Sequence, residues 1–276
     1  MSTFFPDLQA SRHDSCSAFI CLLWQPTRMF ATAQILQQND VGGVFLHDGC
    51  VYKVAPWSAR AEQEVWILET LNGSIGMPCF RGSNILDGLV TIKTDYMDGG
   101  DLCNFVLANG KMSPSQVLNS MRTVAEALQC MHLIGYAHLD VTLENIVCSA
   151  DGSITKLIDF GLAQKNVPGP VVPRGKERYI PPEMFKIDLQ TGTYMPSSAD
   201  VFELGVCILT ALCGAHPFLS AGQEDYTDAY LQWDNHLQKR GVPTPIIELT
   251  RQMCHPLWHS RPSIADVLIL MANFLF

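Results

Sequence analysis

A chain of 276 residues with 47% apolar content has ample material for a buried core, which excludes extended disorder for most of its length. Eighteen Lys and Arg against 27 Asp and Glu give a formal charge of −9, which argues against a broad phosphate-backbone footprint and so against nucleic-acid binding; a basic protein partner suits it better. Ten cysteines are scattered singly with no Cys-x-x-Cys pair, and so read as reduced thiols, with cytoplasm or nucleus as the expected location, rather than as a disulfide framework.

Residues 1–30 read as a leader packing on the domain that follows. Its apolar run, Ala18 to Trp24, is far short of the roughly 20 residues that cross a bilayer, so no membrane contact is expected. A secretory signal is the minor alternative: Ala31-Thr32-Ala33 offers small residues downstream, but Asp7 and Asp14 spoil its positive start. From Ile35 to Tyr96, short apolar runs are broken by Asp48-Gly49, Asn72-Gly73 and Asp87-Gly88, which predicts antiparallel strands, with one helix over about Ala59 to Leu71. Met97 to Gly100 reads as a linker.

Beyond it the period turns helical. Ser113-Pro114-Ser115-Gln116 has a capping hydroxyl, a proline at the first helical position and a reciprocal Gln, and Val117, Met121, Val124, Leu128 and Met131 continue the apolar stripe to about His132. Asn145 to Cys148 and Thr155 to Ile158 flank Asp151-Gly152 like a hairpin, and the chain past Ala199 is helical again. The fold class is therefore α+β: a small antiparallel β-rich N-lobe over residues 31–97 with one helix, a hinge over 95–100, and a larger, mainly helical C-lobe over 101–276.

Chemistry enters at His138-Leu139-Asp140-Val141-Thr142-Leu143-Glu144-Asn145, where an Asp and an Asn stand five residues apart on an expected loop. Phosphoryl transfer needs such a pair, one carboxylate to orient the attacking hydroxyl and take its proton, one neutral carbonyl to help hold magnesium. Asp159-Phe160-Gly161, fourteen residues after the Asn, supplies a second metal-binding carboxylate and a glycine for the turn.

In this order and spacing the chain resembles the eukaryotic protein-kinase superfamily over residues 35–272. Gly175-Lys176-Glu177-Arg178-Tyr179-Ile180-Pro181-Pro182-Glu183 is similar to the segment ending in Ala-Pro-Glu; Asp200-Val201-Phe202-Glu203-Leu204-Gly205, His216-Pro217-Phe218 and Arg261-Pro262-Ser263 follow in register. The resemblance implies a two-lobed fold that binds ATP and Mg²⁺ and phosphorylates proteins. Asp140 is then the catalytic carboxylate, Asn145 and Asp159 the metal ligands, and Lys53 the phosphate-binding lysine positioned by Glu64, with Glu62 close by. Glu183 pairs with Arg261, and Asp200 braces the catalytic loop. Val44, Val51 and Val147 line the adenine slot, Thr94 stands at its back, Asp95 to Met97 form the hinge and Asp101 meets the ribose. Of the glycine-rich loop only Gly42 and Val44 remain, and Gly42-Gly43 reads equally as a hairpin turn.

Three departures bear on mechanism. Leu139 replaces the arginine that commonly meets an activating phosphate, and Asp159 to Glu183 contains no Ser or Thr, so activation without Ser/Thr phosphorylation is expected; Tyr179 reads as a packing residue. Thr142 stands where a lysine is usual, and Lys176 where a threonine is usual. The expectation is that Lys176 supplies the missing charge, with Thr142 as partner and Asp140 alongside; the rival reading is a surface lysine. Thr142-Leu143-Glu144 favours Ser/Thr over tyrosine acceptors. His-Leu-Asp followed by Thr, with Gly-Lys near the end of the segment, also resembles FIKK-type kinases, without their naming tetrapeptide. The rivals are a pseudokinase scaffold, favoured by the degraded glycine loop, and a small-molecule phosphotransferase, opposed by the segment ending at Glu183. Cys254, His255 and His259 have no second ligand pair and are expected to pack a helix end rather than bind zinc.

Overall fold

Alternating apolar residues and tight turns build the first half of the chain. The computed structural model describes residues 33–39, 42–170, 175–185, 193–218, 221 and 226–274, so the expectations for the leader lie outside the described residues. Strands β1 (Gln34–Asn39), β2 (Gly42–His47), β3 (Cys50–Pro56), β4 (Phe80–Leu86) and β5 (Leu89–Asp95) form one antiparallel sheet in the order β1-β2-β3-β5-β4. Asp48 and Gly49 turn β2 into β3, and Asp87 and Gly88 turn β4 into β5; both residues of each pair have positive φ, the type I′ geometry that matches strand twist.

Two expected turns are corrected. Asn72-Gly73 does not join strands: it follows helix α1 (Ala59–Thr70), and Gly73 at φ +86 is the left-handed glycine that helix ends also favour. Gly42-Gly43 is not a hairpin turn, because Gly42 pairs with Asn39 and Gly43 with Gln38 inside the ladder. Gly42 is needed for closeness: a Cβ there would lie 2.4 Å from the Val54 carbonyl oxygen. On one face of this sheet Phe45, Tyr52 and Val54 form a small core.

The chain divides into two compact units, one holding the described residues up to Val65 with Phe80–Tyr96, the other Trp66–Cys79 with Met97–Phe276. The second is mainly helical. α2 (Leu102–Asn109) precedes α3 (Pro114–Leu133), whose Ser113–Gln116 capping box forms as expected, and Val117, Met121, Val124, Leu128 and Met131 are all fully buried. α4 (Pro196–Cys213) is long and apolar enough to cross a membrane by length and composition, yet 83% of it is buried inside the unit. A mostly apolar helix belongs in a core; after α5 (Tyr226–Leu231) and α6 (Trp233–Lys239), α7 (Thr244–Met253) packs on α4, as does α3.

β6 (Tyr136–Ala137) and β9 (Gln164–Lys165) pair, as do β7 (Ile146–Cys148) with β8 (Thr155–Leu157), the expected hairpin, and β10 (Gly169–Pro170) with β11 (Thr193–Tyr194). The segment from His138 to Asn145 thus follows β6 and runs into β7. Together, the antiparallel sheet and the helical unit are the α+β kinase-like architecture expected.

Candidate active site

Strand register brings together the candidate residues of the first unit. Val44 pairs with Lys53, Val51 with Thr94 and Lys53 with Ile92, so Val44, Val51, Lys53 and Thr94 share the sheet face opposite Phe45 and Tyr52. Lys53 Nζ donates to both oxygens of Glu64, at 2.7 and 2.9 Å. Glu64 is buried and Glu62 exposed, which decides between the two candidate carboxylates. Asp95 lies at the end of β5, opposite Cys50.

Met97, Asp101 and Val147 belong to the second unit. Asp101 and Val147 meet in an isolated bridge. The Asp101 carboxylate caps α2, with Oδ1 accepting from the Asn104 amide at 2.8 Å and Oδ2 from its side chain at 2.6 Å.

The loop from His138 to Val141 has no strand partner, so its amides are satisfied from below. The His138 N–H donates to Asp200 Oδ2 and the Leu139 N–H to Asp200 Oδ1, at 2.9 and 2.8 Å. The Asp140 N–H donates to His138 Nδ1 at 3.3 Å, which puts the ring proton on Nε2, where it bonds the Ile158 carbonyl at 3.1 Å. The Val141 N–H donates to Glu203 Oε2 at 2.8 Å. Leu139 sits at φ +63, a left-handed backbone unusual for leucine, and these bonds hold it there.

Asp140 is thereby fixed with its carboxylate half-committed. Asn145 Nδ2 donates to Asp140 Oδ2 at 2.6 Å and to its carbonyl at 2.9 Å, whereas buried Oδ1 has no hydrogen-bond partner among the described residues. An orphaned buried acceptor fits a donor that arrives with a substrate, such as a hydroxyl. With its amide nitrogen committed, Asn145 presents Oδ1 as its acceptor, and Asp159, in the left-handed region at φ +64, opens the turn through Phe160 to Leu162. Among the described residues no group of three or more His, Cys, Asp or Glu could cage a metal. Asn145 and Asp159 fit magnesium, which takes one or two protein oxygens plus substrate phosphates, and Cys254 caps the end of α7.

The segment ending at Glu183 packs over this loop. Gly175, at φ +85, passes so near that a Cβ would meet the Leu139 carbonyl at 3.1 Å and Asp140 Oδ1 at 3.2 Å. Lys176 Nζ reaches Thr142 Oγ1 at 3.3 Å, as expected. It does not contact Asp140; Glu144, unforeseen from sequence, takes the ammonium at 3.1 Å. Burial pushes the Glu144 carboxyl up, but hydrogen bonds from its own backbone and from Lys176 outweigh that and leave it below its ordinary value.

Leu139 replaces a cation with packing. It is fully buried among Ala137, Ile180, Met184, Tyr194 and Ala199. Tyr179 is buried edge-on to His216 at 4.8 Å, its hydroxyl between the Leu143 amide and Glu144, and burial pushes its phenol far up. Glu183 and Arg261 form the expected pair, bidentate at 2.7 and 2.6 Å. Arg261 also donates to the Ser198 and His255 carbonyls and lies over Phe202.

Residues 53–270 match the model of the protein kinase domain, and this chain belongs to that family. It is 34% identical over 135 residues to the probable serine/threonine-protein kinase 2 of Plasmodium falciparum, covering 48% of this chain and 26% of that protein. It is 34% identical over 128 residues to the maternal embryonic leucine zipper kinase of Danio rerio, covering 45% and 18%. With calcium-dependent protein kinase 12 of Oryza sativa subsp. japonica it shares 28% identity over 202 residues, 70% of this chain and 36% of the relative. The chain thus spans little more than a third of these relatives at most.

Proposed function

We propose that this protein kinase domain is catalytically active and transfers the γ-phosphate of ATP to Ser or Thr hydroxyls of proteins. One observation carries the reading: Asp140 Oδ1, buried and without a hydrogen-bond partner among the described residues, belongs to a residue whose other carboxylate oxygen and backbone are fixed by Asn145 and His138, while Asp200 holds the amides of the two residues before it. A substrate hydroxyl would donate to Oδ1; as its oxygen attacks the γ-phosphorus, Asp140 takes the proton and ADP leaves. Lys53, held by Glu64, would bind the α- and β-phosphates. Magnesium, when bound, would neutralise the charge developing on the phosphates, with Asn145 Oδ1 and Asp159 as its protein ligands.

The Ser/Thr preference is supported by the wording Thr142-Leu143-Glu144 and by the name of the Plasmodium relative. The acidic net charge supports a basic substrate, and the free thiols among the described cysteines support a reducing compartment, cytoplasm or nucleus. A pseudokinase scaffold would not need the ordered Lys53–Glu64 pair and Asp140–Asn145 bond together. Incubation with ATP and Mg²⁺ and basic peptides differing only in Ser, Thr or Tyr, followed by identification of the phosphorylated amino acid, tests the assignment. Phosphoserine and phosphothreonine are expected; phosphotyrosine alone, or transfer only to small molecules, would overturn it.

A further inference from the structure

α4 presents Asp200, Glu203 and Cys207 one turn apart along a single face, beneath the catalytic loop. Asp200 takes the amides of His138 and Leu139, Glu203 that of Val141, and the Cys207 thiol donates to the Val141 carbonyl at 3.5 Å. Asp200 and Glu203 are both buried from solvent, at 0% and 1% exposure, so two full negative charges here would face each other without water. The bonds decide which carboxyl carries the charge. Asp200 accepts from two amides and from His132 Nε2 at 2.8 Å, whereas Glu203 accepts from the one Val141 amide.

We propose that Glu203 is a positioning residue for Asp140, holding the Val141 amide as a neutral carboxylic acid. Neutrality follows from its neighbours: Asp200 lies one turn before it on the same helix and Asp140 is next to the Val141 amide that it holds, with the Cys207 thiol one turn on, while the charge of Glu183 above is compensated by Arg261, so an ionised Glu203 would add to two buried or half-buried carboxylates. Burial is the largest influence pushing its carboxyl upward and Asp200 the next. A neutral acid can still accept the amide proton, so the loop is pinned on both sides of Asp140 without placing another anion beneath the group that must accept the substrate proton.

The turnover part of the test rests on the kinase reading, so a second readout is independent of it. Glu203→Gln keeps an acceptor and neutrality; Glu203→Met keeps bulk and removes the acceptor. The expected result is that Met lowers kcat by about tenfold with the KM for ATP within about twofold, and that Gln rescues most of that loss with the wild-type pH profile. At neutral pH, infrared difference spectra of wild type against Glu203→Gln should show the carbonyl stretch of a protonated carboxylic acid, and exchange of the Val141 amide should quicken in Glu203→Met. Gln failing as badly as Met, a carboxylate band in place of the acid band, or Val141 exchange unchanged in Met would each overturn the proposal. If wild type itself transfers no phosphate, the kinase reading falls, while the infrared band and amide exchange still decide the state of Glu203.

Discussion

Lys176 is anchored to Thr142 and Glu144, the two side chains that follow Asp140 most closely on the loop and take part in its contacts with the overlying segment. Removing it should loosen both anchors, and Lys176→Ala should lower turnover about tenfold, on the order of 1.4 kcal/mol in the barrier. An unchanged kcat would return Lys176 to the status of a surface lysine. The Arg261–Glu183 pair is a different case, because the guanidinium is fully buried and loses the carboxylate that pairs with it in Glu183→Ala. That variant should lose roughly 3–5 kcal/mol in urea unfolding, the penalty of an uncompensated buried charge; a loss below about 1 kcal/mol would show that the pair contributes little. Motif order made Asp140, Asn145, Asp159, Glu183 and Arg261 legible, since each stands in a short motif at the spacing that the family resemblance implies. Glu144 and Glu203 were not legible: a lone glutamate in a loop or helix reads as solvated, and only the fold shows what lies against it.

Two elements meet at the catalytic loop, α4 from below and the segment from Gly175 to Glu183 from above. Gly175 lies close over the loop, at positive φ and with only a tight fit for a methyl group against the Leu139 carbonyl and Asp140. Gly175→Ala should therefore lower kcat by at least about tenfold while shifting stability by only about 1–2 kcal/mol, read by kinetics beside thermal melting. Equal kcat would mean that the segment rides over Asp140 without constraining it. Leu139 joins the two layers through its apolar cluster, so Leu139→Arg should destabilise the fold by about 3 kcal/mol or more, because the cluster of Ala137, Ile180, Met184, Tyr194 and Ala199 around its side chain offers the guanidinium no carboxylate; an unaltered urea midpoint would contradict this. At this scale the long helices and the Asp-Gly hairpins were readable from period and turn chemistry. The two-residue ladders β6–β9 and β10–β11 were not, because so short a strand has no period to detect. Asn-Gly misled for a physical reason, since left-handed glycine serves helix ends and hairpins alike.

We propose that, in the segment from Asp159 to Glu183, packing stands in for phosphorylation. Tyr179 is buried, Leu139 occupies an apolar cluster, and Asp159 to Glu183 has no Ser or Thr, so phosphatase treatment should leave the transfer rate unchanged. A rate that falls after such treatment would point to an activating phosphate elsewhere in the chain. The order of the motifs made the family readable before the fold; the tight β1–β2 register, which turns Gly42 from a loop residue into a strand residue, was not, because a glycine pair carries no mark of which side of a turn it occupies. The most direct test of an active kinase is γ-phosphate transfer from ATP with Mg²⁺ to a generic basic protein, wild type beside Asp159→Ala. Transfer by the wild type that is lost in the variant is the predicted result; no transfer by the wild type across metals and acceptors, or equal transfer by both, would contradict it.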